Sequence, residues 1–220
     1  FSFKVMKLKL FIVALFCSVL GWGQYSITGT GVGNTFTENF DSFRGTSITL
    51  PINWTVTTAS YNASIPIITS GAATPTVATA NGNNCYAGRA SSSSSDYAIL
   101  QKQATSGSTT FVMDAVNNTG GVVDGFVITW NVEQYNSAGR ATTVAFDYQI
   151  GAAPYSTTVI RGTNLFTATT GTSTTFSVVQ TSRSITITGL SVPNGSSLKF
   201  RFSIANGASS GSNAHIGIDD

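Results

Sequence analysis

Phe126-Val127-Ile128-Thr129-Trp130-Asn131-Val132-Glu133 is the stretch on which the fold turns. Its apolar residues Phe126, Ile128, Trp130 and Val132 recur at every second position, and the residues between them are mostly polar. An extended chain with that period puts the two sets on opposite faces, so the pattern predicts a half-buried antiparallel strand and not a helix. Val144, Phe146, Tyr148 and Ile150 repeat it, as do Ile185 and Ile187 among Ser184, Thr186 and Thr188. The sharpest alternation is Leu198-Lys199-Phe200-Arg201-Phe202-Ser203-Ile204, where a one-residue slip would bury Lys199 and Arg201, so its register is well specified. Weaker strands are expected over Phe36–Phe43, Trp54–Thr58, Tyr97–Gln101, Thr110–Asp114, Thr174–Val179 and His215–Asp220. No stretch has helical periodicity of useful length. So many alternating segments, punctuated by turns such as Pro193-Asn194-Gly195, predict an all-β, two-sheet antiparallel sandwich of jelly-roll-like form. Between Ala59 and Asp96 the pattern fades into a long loop region with one strand near Ile65–Ile68.

The N-terminus is set apart from this fold. Lys7 and Lys9 precede an apolar run from Leu10 to Leu20, which ends at Gly21-Trp22-Gly23, the layout of a secretory signal peptide. The run is about half of the ~20 apolar residues that a membrane span needs. Residues 1–23 are therefore read as upstream sequence plus leader, and 24–220 as a single exported domain. Cys17 lies in the leader, which leaves Cys85 without an internal disulfide partner. Three of the eleven Lys and Arg residues, Lys4, Lys7 and Lys9, also lie there, leaving eight bases against nine acids. The remaining bases are scattered, so no phosphate-binding footprint exists and nucleic acid is not an expected partner. Stable membrane insertion is not expected either.

Phe36-Thr37-Glu38-Asn39-Phe40-Asp41, followed by Leu50-Pro51-Ile52-Asn53-Trp54, resembles the opening of a family of N-terminal β-sandwich domains in large secreted bacterial surface proteins. Asn117-Asn118-Thr119-Gly120, Val132-Glu133-Gln134-Tyr135, Gly189-Leu190 with Pro193-Asn194-Gly195, and His215-Ile216-Gly217-Ile218-Asp219-Asp220 resemble later landmarks of that family in the same order. The early Phe-acid and late Ile-Asp-Asp pairing is also similar to carbohydrate-binding jelly rolls and to MAM adhesion domains. The resemblance implies further modules after Asp220, because members of that family stand ahead of other domains, and a domain cut short at its C-terminal end, because the family's terminal motif usually runs on by an apolar residue or two.

Catalysis needs positioned acids, bases or nucleophiles, and the exported part supplies one histidine, His215, one cysteine, Cys85, and nine carboxylates. The strand-to-helix nucleophile elbow of a Ser-His-acid hydrolase does not accompany His215, because no helical stretch follows any of the serines. Glu133 with Asp147, or Asp114 with Asp124, are the carboxylate pairs that neighbouring strands would bring together for glycoside hydrolysis. No strand carries the clustered acids and aromatics of a cleft, so no enzyme activity is expected.

A structural Ca²⁺ is the stronger reading of the acids. Glu38 shares a row with Phe36 and Phe40, and Asp220 shares one with Ile216 and Ile218. If those rows face the core, both carboxylates point inward, where an unpaired charge is costly. A cation held by carboxylates and carbonyls would relieve that cost if first and last strands lie side by side. Asp41 and Asp219 fall on the opposite parity, and the family resemblance implies their involvement. The alternative is a set of simply hydrogen-bonded or exposed acids. Among aromatics, Trp130 sits on the apolar row and is expected in the core. Tyr135, just beyond its strand and near Arg140, is the candidate ligand-binding pair with that arginine, and Tyr61, Tyr86 and Tyr155 lie in loops. The expected function is a non-catalytic extracellular or cell-surface binding module, for a polysaccharide, surface glycan or adhesion ligand. A structural spacer in a secreted nuclease or other hydrolase is the second reading.

Overall fold

The computed structural model describes residues 23–31, 34–43, 50–57, 67–69, 84–102, 108–156, 165–172, 177–207 and 211–220. Residues 1–22, Arg44, Tyr61, Arg161 and most of the 59–83 stretch lie outside them, as do the side chains of Cys85 and Tyr86.

The described residues form β1 (Tyr25–Ile27), β2 (Trp54–Thr57), β3 (Ile67–Thr69), β4 (Asn84–Arg89), β5 (Ala98–Lys102) and β6 (Ser108–Asn117). There follow β7 (Val123–Gln134), β8 (Thr142–Ile150), β9 (Phe166–Thr167), β10 (Val179–Val192), β11 (Ser197–Asn206) and β12 (His215–Asp219). One sheet has the order β1-β6-β11-β8-β9, with β2 also on β6, and the other has the order β10-β7-β12-β5-β4-β3. From β6 onward the long strands β6, β7, β8, β10, β11 and β12 alternate between the sheets, a jelly-roll-like two-sheet sandwich.

Period two sets the inner faces. Leu198, Phe200, Phe202 and Ile204 of β11 line the core, and Phe146 of β8 joins them. Trp130 reaches across from β7, with its ring 5.5 Å from Phe146 and 5.4 Å from Phe202. Aromatic contacts of this kind tie the layers together beyond simple area burial. The outer row of β11 meets its charge partners by register alone. Lys199 stands opposite Asp114 and Arg201 opposite Asp147. Arg201 and Asp147 form a bidentate pair at 2.7 and 2.8 Å, with the Tyr155 ring 3.6 Å from the guanidinium carbon.

Three expectations are corrected. Residues 34–40 do not form a strand, and Phe40 has φ 51°, which breaks the extended geometry that the alternation implied. The neighbours of β12 are β5 and β7, so the final strand does not lie beside the Phe36–Phe43 segment. The proposed carboxylate pairs are also split. Asp147 and Asp114 belong to the first sheet, Glu133 and Asp124 to the second, and Asp147 is paired bidentately with Arg201.

Candidate functional site

Six of the nine carboxyl groups gather at one end of the second sheet. The turn at Phe40–Phe43 is closed by a hydrogen bond from the Phe43 amide to the Phe40 carbonyl, and both phenyl rings are buried. This anchors Asp41 between them. One Asp41 oxygen accepts from the Tyr97 amide at 3.0 Å and the other from Asn39 Nδ2 at 2.8 Å. Glu38 lies beside it and accepts from the Phe40 amide at 3.0 Å. The Asp41–Tyr97 bond is what couples this early segment to β5, and it brings Asp96, the residue before Tyr97, into the group.

From the sheet itself come Glu133 on β7 and Asp219 on β12, with Asp220 just beyond. Asp219 pairs with Asn131 across the ladder, on the row opposite Ile216 and Ile218. That outer row is buried here. Tyr135 and Leu100 are both 0% exposed, and Tyr135 donates its hydroxyl proton to Glu133 Oε2 at 2.6 Å. Gly88 makes room for this layer, since a Cβ there would stand 2.1 Å from Leu100 Cδ1 and 2.5 Å from Tyr135 Cζ. Asp219 is 1% exposed, its Oδ1 accepts from the Asp220 amide, and its Oδ2 has no hydrogen-bond partner.

The electrostatics follow from this crowding. Burial, then Asp220, Glu133 and Asp96, push the Asp219 carboxyl up to about 8. Burial raises Glu133 too, opposed by the Tyr135 hydrogen bond and reinforced by Asp96 and Asp220. Asp96 is raised by partial burial, Asp220 and Asp41, and Glu38 by burial, against its bond from the Phe40 amide, with Asp41 adding to the rise. The charged neighbours acting on these four groups are all carboxylates. The two cations of β11 are spent on Asp114 and Asp147 at the other sheet.

The parity argument placed two of the acids wrongly. Asp220 is exposed, with φ 54°, because it falls past the strand end and swings out, where Asn131 Nδ2 approaches it at 3.3 Å. Asp219, on the other row, is the buried one. Tyr135 is no exposed platform: it is fully buried, and its hydroxyl is held by Glu133. Arg140 is half-buried, its amide bonded to the Ser212 carbonyl. Asp96 and Glu133 were missed as members of the group. The Val132-Glu133-Gln134-Tyr135 landmark contained one of them, but nothing in the sequence joins Asp96 to the rest.

β12 stops at Asp219 while β7 and β10 run on as a two-stranded ribbon. At this step lies a cavity of about 290 Å³, lined by Thr129, Trp130, Asn131, Ser182, Arg183, Ser184 and Asp220. Ser182 and Asn131 hydrogen-bond across it at 2.6 Å. Asp220 thus belongs to both the acidic group and the open, hydroxyl-rich cavity. Among the described residues no three His, Cys, Asp or Glu side chains are drawn together as a ready metal-binding group. His215, half of any Ser-His arrangement, shares its Nδ1 with Asn136 Oδ1 at 3.2 Å.

No known protein family matches the chain, and no curated protein does. Among solved structures it is similar to the enzymatically active domain of tailspike protein 4 from bacteriophage CBA120 (11% identity, TM-score 0.38), over 76% of this chain and only 19% of that one. It is similar to the K3 cleaved adhesin domain of Lys-gingipain from Porphyromonas gingivalis w83 (12% identity, TM-score 0.40; 83% and 98% of the two chains). It is also similar to TmCBM61, solved in complex with beta-1,4-galactotriose (12% identity, TM-score 0.36; 83% and 90%).

Proposed function

We propose that this domain is a non-catalytic binding module of a secreted or cell-surface protein, which holds a glycan or similar polyhydroxylated ligand beside a calcium-loaded acidic cluster. The observation that carries the reading is the Asp219 carboxylate, buried, with one oxygen unpartnered, among other carboxylates and next to an open polar cavity. Buried charge without compensation is costly enough that it is rarely left so. A Ca²⁺ ion supplies that compensation through carboxylate and carbonyl oxygens. Asp219, Asp41, Asp96 and Asp220 are the residues that would close on it, with Glu38 and Glu133 in support. The hydroxyls and amide of Ser182, Ser184, Thr129 and Asn131 offer the hydrogen bonds that sugar hydroxyls take up.

Calorimetry of the exported domain with calcium and with chelator tests the metal. Binding linked to the native state raises stability by about 2.7 kcal/mol at a hundredfold excess over the dissociation constant. Superimposable transitions would remove calcium from the reading. A glycan screen with calcium tests the ligand, and Asn131→Ala or Asp220→Ala should weaken any hit. Loss of every hit, with a fused enzyme unaffected by glycans, would leave the spacer reading. Turnover of a bound glycan by the domain alone would overturn both.

A further inference from the structure

We propose that the free edge of β10 is a self-association surface, on which a second copy of this chain pairs antiparallel about a two-fold axis at Ser184. β10 is an end strand of its sheet and is its longest, 14 residues from Val179 to Val192. It keeps ten consecutive pairs with β7, from Val179–Gln134 to Thr188–Gly125, before any bulge. Among the described residues no strand lies on its other side. Such an edge presents a row of backbone donors and acceptors that soluble proteins usually blunt with Lys, Pro, bulges or shortness. This one has a single charge, Arg183, and no proline before Pro193.

The side-chain rows select a second copy as occupant. In a two-fold antiparallel pair, facing residues lie on one face, so one residue meets its own copy on the axis. With the axis at Ser184, the outer row pairs Ser182 with Thr186 and Gln180 with Thr188, which matches hydroxyl to hydroxyl and amide to hydroxyl. On the inner row Arg183 meets Ile185 and not another Arg183, so the one charge does not oppose itself. Thr181 meets Ile187 there. Ile185 is only half-buried, as are Phe126 and Ile128 on β7, so a continued sheet also completes the flank of the core. One contact thereby removes both exposed edges, as closed two-fold assemblies do. A single ladder buries less than the ~800 Å² per partner of a standard stable interface, so the dimer is concentration-dependent.

The test is a cysteine placed on the axis. Directly opposed strand residues have Cα atoms about 4.5–5.5 Å apart, inside the range a disulfide bridges. Oxidised Ser184→Cys should therefore cross-link to dimer. Thr186→Cys, about 14 Å from its own copy, and the wild-type protein with Cys85 should not. In sedimentation equilibrium the wild type should dimerise, and the double variant Ser182→Lys/Thr186→Lys should raise the dissociation constant at least roughly tenfold, because like charges then face each other. Both positions are exposed and Ser182 gives up only an exposed hydrogen bond to Asn131, so its thermal transition in dilute solution should shift little. A wild type that stays monomeric up to about 1 mM, a dimer indifferent to the lysines, or equal cross-linking at 184 and 186 would each overturn the proposal.

Discussion

Asp219 exerts its effect on the metal-free protein through protons. Its carboxyl is pushed up to about 8 in the fold from an ordinary 3.8, so the folded chain binds the proton more tightly than the unfolded one. Stability in chelator must then fall as pH rises between those two values, with the raised Asp96 and Glu133 adding to the same slope. Asp219→Asn should flatten most of that fall and stabilise the metal-free protein at pH 8 by about 1–3 kcal/mol, because it removes a charge that burial and the neighbouring carboxylates disfavour. It should also abolish stabilisation by calcium, and urea midpoints at pH 5 and pH 8, with and without calcium, read both effects. At the opposite face, Asp147 has a side chain 0% exposed and depends on Arg201, whereas the Lys199–Asp114 pair is 37% and 24% exposed. Arg201→Ala should therefore cost about 3 kcal/mol, because it removes both charge-assisted bonds of the bidentate pair from a buried carboxylate. Lys199→Ala should cost no more than about 1 kcal/mol in the same denaturant titration.

Strands β5 and β12 show where alternation stops being informative. Every residue of β12 is buried, and Leu100 and Tyr135 are buried on the row that period two assigns to solvent. A prediction follows at β4, where Gly88→Ala would press a methyl group into Leu100 and into a tyrosine ring already pinned by Glu133. The expected loss is about 1–3 kcal/mol by thermal melting. This second layer is also why the site was only half legible. The inner faces of β7, β8 and β11 were readable because one side of each strand is plainly polar. The burial of Asp219 was not, since its row reads as solvent-facing and is covered. Asp96 joins through the Tyr97 amide bonded to Asp41, a contact between residues 56 apart in sequence that no local pattern encodes.

Across the whole molecule, the first and last described strands are both built into the sheets. β1 pairs parallel with Ala115–Asn117 of β6, beginning at Tyr25. Signal cleavage is expected between Gly23 and Gln24, which would leave Tyr25 near a free terminus, able to take that place. N-terminal mass spectrometry of exported protein checks this, and retention of residues 7–20 would refute it. β12 sits in mid-sheet between β5 and β7, so among the described residues β3, β4 and β5 are laddered to β7 and β10 through it alone. Lys102 therefore waits for His215, its ladder partner, to be made. At about 5–20 residues per second that interval is roughly 6–23 s, during which half the sheet has no neighbour to close against. β12 thus acts as a clasp: until it is seated, the two halves of the sheet that it joins fold as separate pieces.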